Sequence, residues 1–160
     1  MLKFFLRDAT LTLAAVVGIY LQPANTLSQA LVGLLTGYIA YSFHEWSHFC
    51  GARLVNASIE PARSLWSPFL FSFDSKSNSV QQFYAMTLPG FIATALYLLF
   101  FTVGLPKEPL WANIALLFGY TLAGLTALIE GPIALYAIVK KEIPVVEIPG
   151  FGNHSFSRKP

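Results

Sequence analysis

The chain has a single cysteine, Cys50, in 160 residues. That excludes an internal disulfide framework and any metal site built from several thiolates. Charge is scarce too. Only 11% of residues are Asp, Glu, Lys or Arg, against about 25% in ordinary soluble domains. Hydrophobic residues make up 55%, aromatics 15%, and mean hydropathy is +0.58. This is the composition of an integral membrane protein rather than of a dense soluble core. The net charge of +2 and the lack of a basic stripe interleaved with aromatics argue against nucleic acid as a partner. The expected surroundings are a lipid bilayer. Lys3 and Arg7 precede an apolar run, but no small-residue cleavage site follows before Gln22-Pro23. The start is therefore expected to be a span rather than a cleaved leader.

A membrane-crossing helix needs about 20 apolar residues, and four segments qualify. They run over residues 4–21, 28–53, 80–103 and 110–139. In the first, Arg7 and Asp8 are expected at the membrane surface. Together the four predict an all-α transmembrane domain over residues 1–140. Between the second and third spans, residues 54–79 differ in character. Pro61, Pro68 and the alternating Phe69-Leu70-Phe71-Ser72-Phe73 predict a short strand or hairpin lying against the membrane. The tail, residues 141–160, is rich in Pro, Gly and Ser and repeats Glu-Ile-Pro at Glu142 and Glu147. It is expected to be extended and suited to docking on a partner.

Four spans place both termini and the 54–79 loop on one side. Lys3, Arg7, Arg53, Arg63, Lys76, Lys140, Lys141, Arg158 and Lys159 fall there, and Lys107 alone falls opposite. Basic residues concentrate on the cytoplasmic face, so both termini are expected in the cytoplasm, as in a multi-pass protein of a bacterial inner membrane.

Histidine is scarce as well, with three in the chain. Two of them fall in His44-Glu45-Trp46-Ser47-His48, a His-Glu-x-x-His box inside the second span. Residues four apart on a helix stack on one face, so both imidazoles can bind one metal ion while the glutamate between them polarises a metal-bound water. A charged residue at the centre of a membrane helix costs on the order of 2.5–3.5 kcal/mol on insertion scales. Ionisable groups kept there point to function. Counted from Arg53, His48 and His44 lie roughly 8 and 14 Å below the cytoplasmic surface of a straight helix.

A catalytic zinc takes three protein ligands and leaves one position for water. The remaining ionisable residue deep in a span is Glu130, ten residues before Lys140, or roughly 15 Å deep. That matches His44. Gly131-Pro132 follows it, and a proline inside a helix should kink or open it beside the carboxylate. Gly33 and Gly37 share a helical face with His44 and His48; Gly119, Ala123 and Thr126 share one with Glu130. Small residues let helices approach closely in lipid, so the two stripes are expected to bring the second and fourth spans together. The alternative is that the glycines serve packing alone and Glu130 hydrogen-bonds a neighbour. Cys50 reads as a small apolar filler rather than a ligand.

Phe43-His-Glu-Trp-Ser-His-Phe-Cys-Gly-Ala-Arg-Leu54 resembles the corresponding helix of the site-2 proteases, the intramembrane zinc metalloproteases. In that family the box is typically followed by Phe and then Ala-Arg, as in His48-Phe49 and Ala52-Arg53. The loop through Phe69–Phe73 is similar to the membrane-associated hairpin of those proteins. Leu128-Ile129-Glu130-Gly131 resembles their Leu-Asp-Gly ligand motif, with Glu for Asp. The resemblance implies a Zn²⁺ held by His44, His48 and Glu130, with Glu45 as general base. It also implies hydrolysis of a single-pass transmembrane substrate near the cytoplasmic side. Two departures stand out: residues 123–127 lack the usual Asn and Pro, and the middle-helix Gly-Pro-x-x-Asn pattern survives only as Leu88-Pro89-Gly90 with Thr94.

Those departures, the small size and the repeated tail motif support a second reading, a non-catalytic relative serving as an accessory or scaffold subunit of a larger membrane complex. A third uses His44 or His48 as an axial ligand to haem or chlorophyll in a helical bundle, but it gives Glu45 and Glu130 no role.

Overall fold

The computed structural model describes residues 1–144. It is mostly helical, with one small hairpin. The N-terminal helix α1 (Leu2–Leu21) is followed by α2 (Thr26–Leu54). Asn25 caps α2, its side-chain oxygen accepting from the Ser28 amide at 2.8 Å. Strands β1 (Ile59–Pro61) and β2 (Phe71–Phe73) then pair antiparallel, with Ile59 opposite Phe73 and Pro61 opposite Phe71. Helix α3 (Val80–Gly104) opens with a capping box, Ser79 and Gln82 each accepting the other's backbone amide, which satisfies two otherwise orphaned donors. The chain returns through α4 (Leu110–Leu125), a π-helical turn (Thr126–Glu130) and α5 (Gly131–Lys140).

The helices fall within a residue or two of the expected spans. Three are long and apolar enough to cross a membrane: α1, α3 and the continuous run Leu110–Lys140. The helix that carries the box is not among them, although at 29 residues it is the longest single element. It carries Gln29, Thr36, Ser42, His44, Glu45, Ser47 and His48 on a helix otherwise rich in glycine and alanine. It also occupies the middle of the bundle and packs against α1, α3 and α4. Its polar groups are thus sheltered by protein, while the three apolar helices present residues such as Leu99, Leu117 and Leu128 outward.

α2 and α4 pack closely because α2 offers holes. A Cβ added at Gly37 would lie 2.6 Å from the Phe118 ring, and one at Gly33 would lie 2.6 Å from the Trp111 carbonyl oxygen. The expected matching stripe on α4 is not followed at Gly119. Gly119 faces Tyr97 and Phe101 of α3 instead, and bulky α4 side chains fill the α2 glycines. The close approach is one-sided, large knobs entering small-residue holes.

The hairpin lies across one end of the bundle. Phe71 packs edge-on against Phe49 of α2, with centroids 5.9 Å apart, and Phe73 meets Phe83 of α3 at 5.9 Å. Leu70, just before β2, is 1% exposed, so this loop plugs into the helices near the box.

Candidate metal centre

His44 and His48 point off the same face of α2, as their spacing requires, into the space between α3 and the π-helical turn. Their Nε2 atoms are 3.0 Å apart. Glu130 reaches across from the turn, with Oε1 3.1 Å from His44 Nε2 and Oε2 3.3 Å from His48 Nε2. The two histidines are buried and Glu130 is partly so. Among the described residues, these three form a group whose ligand atoms lie close enough together to hold a metal ion.

The turn that supplies Glu130 has a local cause. Pro132 has no N–H and its ring crowds the carbonyl four residues back, so the regular ladder fails just before it. The Gly131 amide bonds instead to the Thr126 carbonyl, five residues back. The helix widens by one residue there, the signature of a π-bulge. The expected opening beside the carboxylate is therefore present, as a π turn within a continuous helix.

The far sides of both rings are engaged by α3. His48 Nδ1 donates to the Met86 carbonyl at 2.9 Å. His44 Nδ1 lies 2.9 Å from Thr94 Oγ1 and 3.2 Å from the Gly90 carbonyl. Thr94 spends its own proton on that carbonyl at 3.1 Å, so its oxygen accepts from His44. Each ring thus carries its proton on Nδ1, and each Nε2 turns a lone pair toward the other and toward a carboxylate. Three acceptors within 3.3 Å of one another, with no donor among them, require a cation or protons between them. A metal-binding histidine commonly has its other nitrogen fixed in this way by a carbonyl or carboxylate. Ligands at about 2.0–2.1 Å from a tetrahedral zinc lie about 3.3–3.4 Å apart; here the two Nε2 atoms are 3.0 Å apart, and the two nitrogen–carboxylate distances, to different oxygens of Glu130, are 3.1 and 3.3 Å.

Gly90 makes room for the arrangement. A Cβ there would fall 2.1 Å from His48 Cε1 and 2.3 Å from its Nε2. It adjoins Pro89, the proline within α3, and the carbonyls that hold the rings belong to this interrupted stretch. The sequence pattern around Leu88-Pro89-Gly90 and Thr94 thus corresponds to the outer shell of the histidines, a role that residue spacing alone does not specify.

Glu45 is buried and near enough to both histidines and to Glu130 to interact electrostatically. Its Oε2 accepts from the Leu70 amide at 3.3 Å, so the loop before β2 positions it. Cys50 is exposed and lies outside the cluster.

Asp8, expected with Arg7 at the membrane surface, is enclosed by the bundle. Asp8 is 6% exposed. It accepts from Arg7 Nε at 2.7 Å, Tyr38 Oη at 2.8 Å and Trp46 Nε1 at 2.7 Å. A carboxylate with three donors tolerates burial that an unpaired one would not. Trp46 is an unspecified position of the box, so its contact to α1 could not be read from the motif. The second Glu-Ile-Pro repeat and the rest of the tail from residue 145 lie outside the described residues.

No protein-family model, curated protein or solved structure matches the chain.

Proposed function

We propose that the protein is an intramembrane zinc metalloprotease-like hydrolase, cutting a peptide bond of a single-pass transmembrane substrate near the cytoplasmic side of the membrane. The observation that carries this reading is the convergence of His44 Nε2, His48 Nε2 and Glu130 within 3.3 Å, with both Nδ1 atoms engaged elsewhere. Three protein ligands leave one coordination position open for water, the pattern of catalytic rather than structural zinc. When bound, the ion supplies an activated water and polarises the scissile carbonyl, bringing the water's pKa to about 7. Glu45 would serve as the general base toward the attacking water and as the proton donor to the leaving amine. The Leu70 amide holds one carboxylate oxygen of Glu45 and leaves the other available. The basic residues at the ends of α2 and α5, Arg53, Lys140 and Lys141, support placing this end of the bundle in the cytoplasm.

A second reading, a non-catalytic accessory or scaffold subunit of a larger membrane complex, is favoured by the segment leading to Glu130. Residues 123–127 supply no Asn or Pro to handle an unwound substrate strand. One experiment separates the two. The purified chain in lipid nanodiscs is mixed with a panel of single-pass transmembrane peptides, and zinc content is measured in parallel. The protease reading expects cleavage that Glu45→Gln lowers by about 10²–10⁴-fold, the usual contribution of a general base, with zinc content unchanged. Zinc without cleavage of any peptide, together with an unaltered Glu45→Gln protein, would favour the scaffold. Absence of zinc would remove the protease reading and leave a scaffold without metal.

A further inference from the structure

Glu45 is held by the Leu70 amide, and the loop before Leu70 is held in turn by α1. The Arg7 guanidinium donates from Nη1 to the Leu65 carbonyl at 2.6 Å, and Lys3 Nζ donates to the Arg63 carbonyl. Arg7 itself is fixed by Asp8, through Nε to Oδ1 at 2.7 Å. The same carboxylate receives the Tyr38 hydroxyl and the Trp46 indole from two places on α2, two turns apart. Asp8 is therefore the point where the back of the box helix, the N-terminal helix and the loop over Glu45 are tied together. None of these contacts involves His44, His48 or Glu130, which are held by α3 and the π turn.

We propose that Asp8 is a positioning residue: through Arg7 and Trp46 it latches the 62–70 loop onto the box helix, so that the Leu70 amide holds Glu45 beside the metal ligands. The inference rests on the role given above to Glu45. Charge-assisted hydrogen bonds are roughly twice as strong as neutral ones, and a partly satisfied buried network is costly. A single buried carboxylate bridging three elements thus gives the loop one defined seat. Without it the loop keeps its hairpin pairing, its aromatic contacts with Phe49 and Phe83 and the Lys3 contact at Arg63, but the Arg7 tether at Leu65, the one nearer Leu70, loses its anchor.

The latch predicts a local effect that a general loss of packing would not produce. In the full chain in nanodiscs, hydrogen exchange by mass spectrometry reads the 66–71 segment, which contains the Leu70 amide, and the 44–53 segment of the box helix separately. Asp8→Asn is expected to speed exchange at 66–71 at least tenfold while 44–53 and bound zinc stay as in the parent. Arg7→Gln, which leaves Asp8 in place, should produce the same local change. Asp8→Glu, which keeps the carboxylate, should stay within threefold of the parent. Unchanged exchange at 66–71 in Asp8→Asn, equal acceleration of both segments, or equal effects of Asn and Glu at position 8 would each overturn the proposal. Cleavage by the parent chain tests the hydrolase reading separately, because the exchange measurement decides the latch whether or not any peptide is cut.

Discussion

His44 Nε2 and Glu130 Oε1 lie 3.1 Å apart although 86 residues separate them in the chain. Neither group can donate to the other while His44 keeps its proton on Nδ1, where Thr94 and Gly90 receive it. The contact is therefore one between two acceptors, joined by a third from His48. Such a cluster is unfavourable when empty and neutral, and favourable around a cation. That asymmetry sets the first expectation.

The protein should purify with close to one zinc per chain when expressed in zinc-supplied medium, by inductively coupled plasma mass spectrometry. His44→Ala, His48→Ala and Glu130→Ala should each abolish stoichiometric zinc. Removing one of three ligands discards a full metal bond, a larger loss than the 10–100-fold that follows from altering an outer-shell partner. Glu130→Asp shortens the reach by one methylene and should retain zinc more weakly than the parent.

The outer shell should matter in proportion to how it is built. Gly90→Ala places a methyl 2.1 Å from the His48 ring, and neither the ring nor the helix backbone behind it can move away without breaking the Met86 contact. Zinc should be lost as fully as in His48→Ala. Thr94→Val is nearly isosteric and removes only the oxygen that accepts from His44 Nδ1, so affinity should fall by about 10–100-fold, the usual range for such partners. Competition against a zinc-chelating dye measures both. A Gly90→Ala protein with parental affinity would show that the ring is not confined by α3.

Much of this was legible in the sequence, for identifiable reasons. Helix boundaries followed from long apolar runs and the hairpin from the alternation at Phe69–Phe73, both local signals. The grouping of His44, His48 and Glu130 followed from a rarer one, two histidines at helical spacing plus a carboxylate at matching depth. What stayed hidden depended on contacts between distant elements. The burial of Asp8 could not be read because its donors on α2, Tyr38 and Trp46, lie 30 and 38 positions away. Gly119 looked like part of a stripe facing α2 because residue spacing fixes which positions share a face, not which neighbour that face meets. The Leu70 amide was invisible for a simpler reason: a backbone donor leaves no trace in residue identity.

The π turn should be as important as the ligands it presents. Pro132→Ala restores an N–H and removes the clash with the preceding turn, allowing Thr126–Glu130 to close into regular α-helix. One residue less in the wide turn rotates Glu130 by about 100° about the axis, from the 3.6-residue period, away from the histidines. Zinc affinity should drop by at least tenfold although no ligand has been changed. Circular dichroism should show helicity equal to or slightly above that of the parent. Parental affinity in Pro132→Ala would mean that the turn is held open by Glu130 itself rather than by the proline.

Outside the helices, Asp74 should confer an acid-sensitive element on the turn between β2 and α3. The Ser77 hydroxyl and backbone amide and the Lys76 amide donate to its carboxylate and hold its pKa below the ordinary value of 3.8. A carboxyl whose folded pKa is depressed stabilises the fold above its unfolded pKa, and that contribution is lost as pH falls through the folded value. The turn should therefore be fully protected at pH 5 to 7 and loosen below about pH 4, near the ordinary carboxyl pKa. Asp74→Asn should loosen it at neutral pH and abolish the dependence on acid. Proteolysis or hydrogen exchange of residues 74–79 at pH 3 and pH 6 reads this directly, since α3 itself begins at Val80 behind its own capping box at Ser79. Equal protection of parent and Asp74→Asn at pH 6 would show that Asn78, which donates to the Asp74 and Ser58 carbonyls, holds the turn unaided.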